Sequence, residues 1–216
     1  MSAPRIALIH ATALSMAPIE AAFRARWPAA GLAHLLDASL SQDLARDGAL
    51  TPAMTGRFLA LGRYVAGCGA KAILFSCSAF GPAIEAVADD LAPLPVLKPN
   101  EAMIAAARRH GGRIGLIATF RPSFASMLPE FAAGAPGQAV VCALAEGAME
   151  ALAAGDGATH EARIAEAAPS LQHCDVIALA QFSMARARAA AEAASGRTVL
   201  TTPDAAVLQL KERLGG

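Results

Sequence analysis

An excess of either charge is missing from this chain: 18 Lys and Arg stand against 18 Asp and Glu in 216 residues. A nucleic-acid partner therefore finds no electrostatic footprint, and no block of like charge marks a basic membrane-binding face or a tail. Long hydrophobic runs are also missing. The 55% hydrophobic content is inflated by alanine, and charges or Gly and Pro interrupt each apolar run. None approaches the 18 or so residues of a spanning helix. The opening "MSAPRIALIHAT" passes from one arginine straight into a strand-like run, without the pattern of a cleaved leader. The four cysteines, Cys68, Cys77, Cys142 and Cys174, form no C-x-x-C pair and have no histidine at zinc-ligand spacing. His173 and Cys174 are adjacent, but neighbours on an extended chain point to opposite faces and chelate poorly. There is no Walker sequence and no G-x-S-x-G elbow, and "GCGAK" at 67–71 precedes a strand where a phosphate loop would follow one. These absences leave a reduced, cytoplasmic protein without a structural metal, a nucleic-acid partner or a membrane partner.

What is present is alternation. Apolar runs at Arg5–His10, Gly31–Leu36, Ala72–Ser76, Pro95–Leu97, Arg113–Ala118, Gln138–Leu144, Val176–Ala180 and Thr198–Leu200 read as strands. Between them "MAPIEAAFRARW", "PAMTGRFLALGRYVAG", "PAIEAVADDL", "EAMIAAARRH", "PSFASMLPEFAA", "HEARIAEAAPSLQ" and "DAAVLQLKERL" carry helical spacing. Such alternation predicts an α/β fold with parallel sheets covered by helices on both faces. The halves also repeat. "RIALIHAT" (5–12) matches "RIGLIATF" (113–120), "AILFSCSAF" (72–80) matches "VIALAQFSM" (176–184), and "PVLKPNEAMI" (95–104) matches "TVLTTPDAAV" (198–207). The offsets of 108, 104 and 103 residues run in one order and point to a duplicated four-strand unit. The expected organisation is residues 1–98 plus 200–216 as one half and 99–199 as the other. The halves are expected to be related by a pseudo-two-fold rotation, with an active-site cleft between them, because parallel sheets collect ligands at the carboxyl ends of their strands. Those ends carry His10, Thr12, Cys77, Ser78, Lys98 and Asn100 in one half, and Thr119, Gln181, Ser183, Thr201 and Thr202 in the other. Cys77 and Gln181 occupy equivalent places.

Three motifs carry a family resemblance. "ILFSCSAFGPAIEAV" (73–87) resembles the first catalytic-cysteine motif of the aspartate/glutamate/hydantoin racemase superfamily, whose relatives include arylmalonate decarboxylase and maleate isomerase. "PVLKPNEAMI" resembles the strand and helix start that follow. "DVIALAQFSMA" is similar to the second-cysteine motif, with Asp175 and Met184 in place but Gln181 where the family has its cysteine. The resemblance implies a cofactor-independent racemase or isomerase. Its substrate would be a small carboxylate or hydantoin-like carbon acid, and the chain is expected to form a homo-oligomer. It implies Cys77 as acid/base, with Thr12, Ser78, Thr119 and Ser183 as anion contacts. The position of Cys77 before a helix with Pro82 in its first turn predicts a thiolate-favouring site.

An amide cannot titrate in place of a thiol. Three routes stay open: His10 as the second acid/base, a one-base enzyme, or a lyase in which decarboxylation makes the carbanion and one thiol protonates it. A binding protein without catalysis is the rival reading, and a cysteine hydrolase lacks a convincing His-Asp pair. Gln181 is a candidate substrate-binding amide. Thr119 and Ser123 are candidates to bind a carboxylate at a helix start, with Ser123 in the first turn as the plain alternative. Lys98 is a candidate carboxylate partner, against a salt bridge to Glu101. Cys68, Cys142 and Cys174 are expected to be structural, and His34, His110 and His160 to lie at the surface or at element ends.

Overall fold

Among the described residues, eight strands form where apolar runs are short and bounded by Gly, Pro or polar residues. They are β1 (Arg5–His10), β2 (Gly31–Leu36), β3 (Ala72–Phe75), β4 (Val96–Leu97), β5 (Ile114–Ala118), β6 (Val140–Leu144), β7 (Val176–Leu179) and β8 (Val199–Thr201). Among the described residues, ten helices accompany them: α1 (Met16–Arg26), α2 (Ser39–Asp47), α3 (Pro52–Gly67), α4 (Gly81–Asp90), α5 (Glu101–His110), α6 (Pro122–Gly134), α7 (Ala148–Ala153), α8 (Gly157–Ala167), α9 (Arg188–Ser195) and α10 (Thr202–Arg213). The computed structural model describes residues 3–134 and 137–215; Met1, Ser2, Ala135, Pro136 and Gly216 lie outside the described residues. Two compact units result. One runs to Pro99 and takes up the chain again from Ala206; the other is Asn100–Ala205.

Each unit holds one four-stranded parallel sheet, ordered β2-β1-β3-β4 in the first and β6-β5-β7-β8 in the second. The repeat extends to the register. Ile6 pairs with Leu32 and Ala72, and Ile114, 108 residues on, pairs with Val140 and Val176. Ile73 pairs with Val96, and Ile177 with Val199. Even the last rungs agree: the Ser76 amide donates to Ile9 O at 3.1 Å, and the Ala180 amide to Ile117 O at 2.9 Å.

Both sheet faces are apolar in the central strands, as a sheet covered on both sides requires. In the first unit the face carrying Ala7, Ile9, Ile73 and Phe75 packs on Leu40 of α2, Phe58 and Val65 of α3, and Ile84 and Val87 of α4. Phe58 stacks on Phe75 at 5.4 Å between ring centroids and meets Phe80 at 4.8 Å, pairs worth about 0.5–1.5 kcal/mol each beyond area burial. Gly62 of α3 permits the close approach to α4; a Cβ there would meet Val87 Cγ1 at 2.5 Å. In the second unit one face packs on α7, α8 and α9, and the other on α5 and α6.

Three helices, α2, α7 and α9, are 9, 6 and 8 residues long, too short for an apolar pattern to repeat in the sequence. Only Leu40 of α2 and Ala191 of α9 are buried, and α7 buries two alanines. One expected helix is shorter than its sequence pattern. α8 ends at Ala167 and the chain tightens into a 3-10 turn at Ala168–Leu171, because Pro169 cannot continue the ladder. No helix among the described residues is long and apolar enough to cross a membrane.

Candidate active site

β3 ends at Phe75, and Cys77 follows on extended backbone (φ −123°, ψ 118°) before a 3-10 turn at Ser78–Phe80 and then α4. Phe80, with no exposure, locks that turn onto Phe58. β7 ends in the same way. Gln181 is extended (φ −127°, ψ 149°), a 3-10 turn covers Phe182–Ala187, and the fully buried Met184 takes the place of Phe80. Each sheet thus presents one side chain from a rigidly anchored loop at the carboxyl end of a central strand. One is a thiol and the other an amide.

Cys77 is half-buried, over a gap lined by Ile9, Leu40, Phe58 and Phe75. Burial pushes its thiol up from the ordinary range, and the Ala79 amide hydrogen-bonded to it offsets part of that rise. The expected thiolate-favouring site is therefore corrected. A 3-10 turn separates Cys77 from α4, so desolvation outweighs the few donors that reach it. Cys77 is a thiol at neutral pH. Burial also raises Cys142 and Cys174, and all four cysteines are free.

Gln181 is half-buried, and its Oε1 accepts the backbone N–H of the buried Thr119 at 2.9 Å. That bond fixes the amide plane and points the NH2 group away from Thr119. Among the hydroxyls, Thr12 and Ser78 are exposed, Ser183 is half-buried, and Ser123 sits in the first turn of α6. Lys98 reaches Glu85, with Nζ 2.6 Å from Oε1.

His10 closes β1 with no exposure, and both of its ring nitrogens have protein partners. Nδ1 lies 2.8 Å from Ser76 Oγ and 3.1 Å from Ser15 Oγ, and Nε2 lies 3.0 Å from His34 Nδ1. Burial, then the charge on His34, lowers its pKa from 6.5 to about 4. The two rings stack at 5.2 Å. His34 Nε2 in turn lies 3.3 Å from Glu20 Oε1 of α1. The expectation that His34 and His160 are surface or element-end residues is corrected. His34 lies mid-strand in this network, and His160 is fully buried with Nδ1 2.7 Å from Ala148 O. His110 does end α5, exposed. Sequence reasoning missed Ser15, Glu20, His34 and Ser76. The available signal was a histidine inside the otherwise apolar β2, two residues short of the strand end, on the face His10 shares once the strands pair in register.

The Asp/Glu/Hydantoin racemase family model matches residues 6–210, and the chain belongs to that family. Solved structures share its fold at low identity. A Picrophilus torridus aspartate racemase superimposes with a TM-score of 0.74 at 10% identity, covering 98% of this chain and 94% of its own. A Francisella tularensis glutamate racemase in complex with D-glutamate gives 0.71 at 14%, covering 100% and 82%. An allantoin racemase from Klebsiella pneumoniae gives 0.69 at 18%, covering 99% and 88%. No match was found among curated protein sequences.

Proposed function

We propose that this chain is a cofactor-independent enzyme of the racemase and isomerase kind. It would act on a small carbon acid next to a carboxylate or imide carbonyl, with Cys77 giving and taking the proton. The observation that carries the reading is a half-buried thiol on an anchored, extended residue at the end of a central strand, in a family whose solved members include aspartate, glutamate and allantoin racemases. The oxygen of the Gln181 amide is held by Thr119, and its NH2 group is a neutral donor. The exposed hydroxyls of Thr12 and Ser78 suit contacts to a carboxylate or to developing enolate charge. Four free thiols fit a reducing compartment such as the cytoplasm.

A second reading, decarboxylation, is favoured by one observation. A thiol held protonated by burial is poised to donate, which is what a carbanion left by carbon dioxide loss requires. Incubation with amino acids, hydantoins, maleate and substituted malonates in deuterium oxide separates the two. Exchange or isomerisation supports the first reading, and carbon dioxide loss with single-face deuteration supports the second. No turnover of any substrate, with dicarboxylates still bound, overturns both in favour of a binding protein.

A further inference from the structure

Four positions of the first unit differ in kind from their counterparts in the second. Ser76, His10, His34 and Glu20 correspond, at the offsets of the repeat, to Ala180, Ala118, Cys142 and Leu128. Ala118 and Ala180 lie in an apolar cluster, so the fold does not call for polar groups there. Burying an imidazole costs free energy that only well-paired hydrogen bonds offset. The second unit avoids that cost at these positions, where it carries alanines.

The donors and acceptors fix a direction. A carboxylate only accepts, so His34 Nε2 carries the proton facing Glu20. In neutral His34 the Nδ1 is then bare and accepts from His10 Nε2 at 3.0 Å. His10 Nδ1 is bare in turn and accepts the Ser76 hydroxyl at 2.8 Å, while the Ser15 hydroxyl donates to Thr12 O at 3.0 Å. Protonating His34 on Nδ1 reverses the order. His10 Nε2 must then accept, its proton sits on Nδ1, and Ser76 becomes the acceptor. Ser15 Oγ also lies 2.7 Å from Ser76 Oγ, and in the second arrangement Ser76 can donate to it; one proton shift per bond, with one proton supplied at Ser76, interconverts the two arrangements.

We propose that Ser76, His10, His34 and Glu20 form a proton relay that makes Ser76 Oγ a second acid/base group for the reaction. The inference rests on reading the chain as an enzyme of proton transfer at carbon. As Ser76 Oγ takes the proton from the substrate carbon, its own proton passes to His10 Nδ1. The His10 Nε2 proton passes to His34 Nδ1 in the same step. The C–H electron pair stays on the substrate, spread into the adjacent carbonyl, and the positive charge rests on His34 beside Glu20. Reversal returns the proton. Ser76 meets the substrate; the other three are positioning residues. The depressed pKa of His10 keeps it a neutral conduit. The charged groups facing His34 are Glu20 and Arg24 of α1, which line the same groove.

Imidazole ¹⁵N NMR of the whole protein tests the relay without a substrate. His10 should be the Nε2–H tautomer when His34 is neutral and should switch to Nδ1–H as His34 takes a proton, without itself becoming charged. A fixed tautomer, or a cationic His10 in that range, overturns the relay. Deuterium exchange into any substrate turned over tests the role. Ser76→Ala, which copies the second unit, and His34→Phe should each slow exchange at least tenfold. Unchanged exchange in both variants overturns the role of Ser76 while leaving Cys77 in place. A tautomer switch with no substrate exchanged overturns the enzymatic reading, and the role of Ser76 with it.

Discussion

Cys77 and Gln181 leave corresponding strands on nearly the same backbone, each followed by a 3-10 turn pinned by a buried side chain, Phe80 or Met184. What differs is what the two positions can do with a proton. Cys77 titrates, and Gln181 does not. The contrast recurs on the opposite sheet face, where a buried His10 in the first unit stands against Ala118 in an apolar cluster in the second. Both units satisfy the same strand order and register, so these differences are not demanded by folding. The duplication serves as an internal control. Polar groups present in one copy and absent from the other are the ones to suspect of chemistry.

The largest expected effect removes the titrating half of that contrast. Cys77→Ala should slow proton exchange or decarboxylation by about 10²-fold or more, the usual scale for a positioned acid or base. A stopped-flow or NMR rate on a turned-over substrate measures it, and full retained activity would show that the thiol only fills space.

The buried His10 makes the first unit acid-sensitive at a place where the second unit has Ala118. Unfolded His10 binds a proton near 6.5, whereas folded His10 stays neutral down to about 4. Between those values the unfolded state holds more protons. Stability is therefore full above about pH 6.5 and falls as the pH drops toward 4, by up to roughly 3 kcal/mol. Urea denaturation at pH 7 and pH 4.5 checks this, with His10→Asn as the control. A variant whose stability falls as steeply as the parent's would assign the loss to other groups.

On the glutamine side the expected effect is smaller and concerns the backbone. Gln181→Ala takes the acceptor from the buried Thr119 amide and should cost about 1–2 kcal/mol by thermal or urea unfolding. Gln181→Glu keeps an acceptor at that amide and should cost less. If Gln181→Ala is neutral, the amide is free to be read as a substrate contact alone.

The sheets were legible because each strand is a short apolar run bounded by punctuation. Boundaries moved by a residue or two at strand ends such as Ser76, Gln138 and Thr198. α2 was illegible because a nine-residue helix with only Leu40 and Leu44 on its apolar face shows too little of a repeat. Cys77 and Gln181 could be singled out because local motifs and the repeat both placed them. The His10 network could not. His10 and Ser76 lie 66 residues apart, and His10 and His34 lie 24 apart, so only the strand register brings them together. The sign of the Cys77 shift was also hidden. It depends on how deeply Phe58 and Leu40 cover the thiol, and a helix start four residues downstream says nothing of that.

The smallest expected effect falls on Lys98, which stands where the second unit has Thr201. Thr201 is buried, and its hydroxyl donates to Asp204 at 2.9 Å, helping to start α10. Lys98 instead pairs with the exposed Glu85, and partly exposed ion pairs of this kind contribute little. Lys98→Ala should therefore shift stability by no more than about 0.5 kcal/mol. It should also leave KM for a carboxylate substrate unchanged, because the ammonium group already has an anionic partner. A tenfold rise in KM with kcat unchanged would reverse that conclusion. It would mean that Lys98 releases Glu85 to hold the substrate, and the first unit would then supply the charge as well as the thiol.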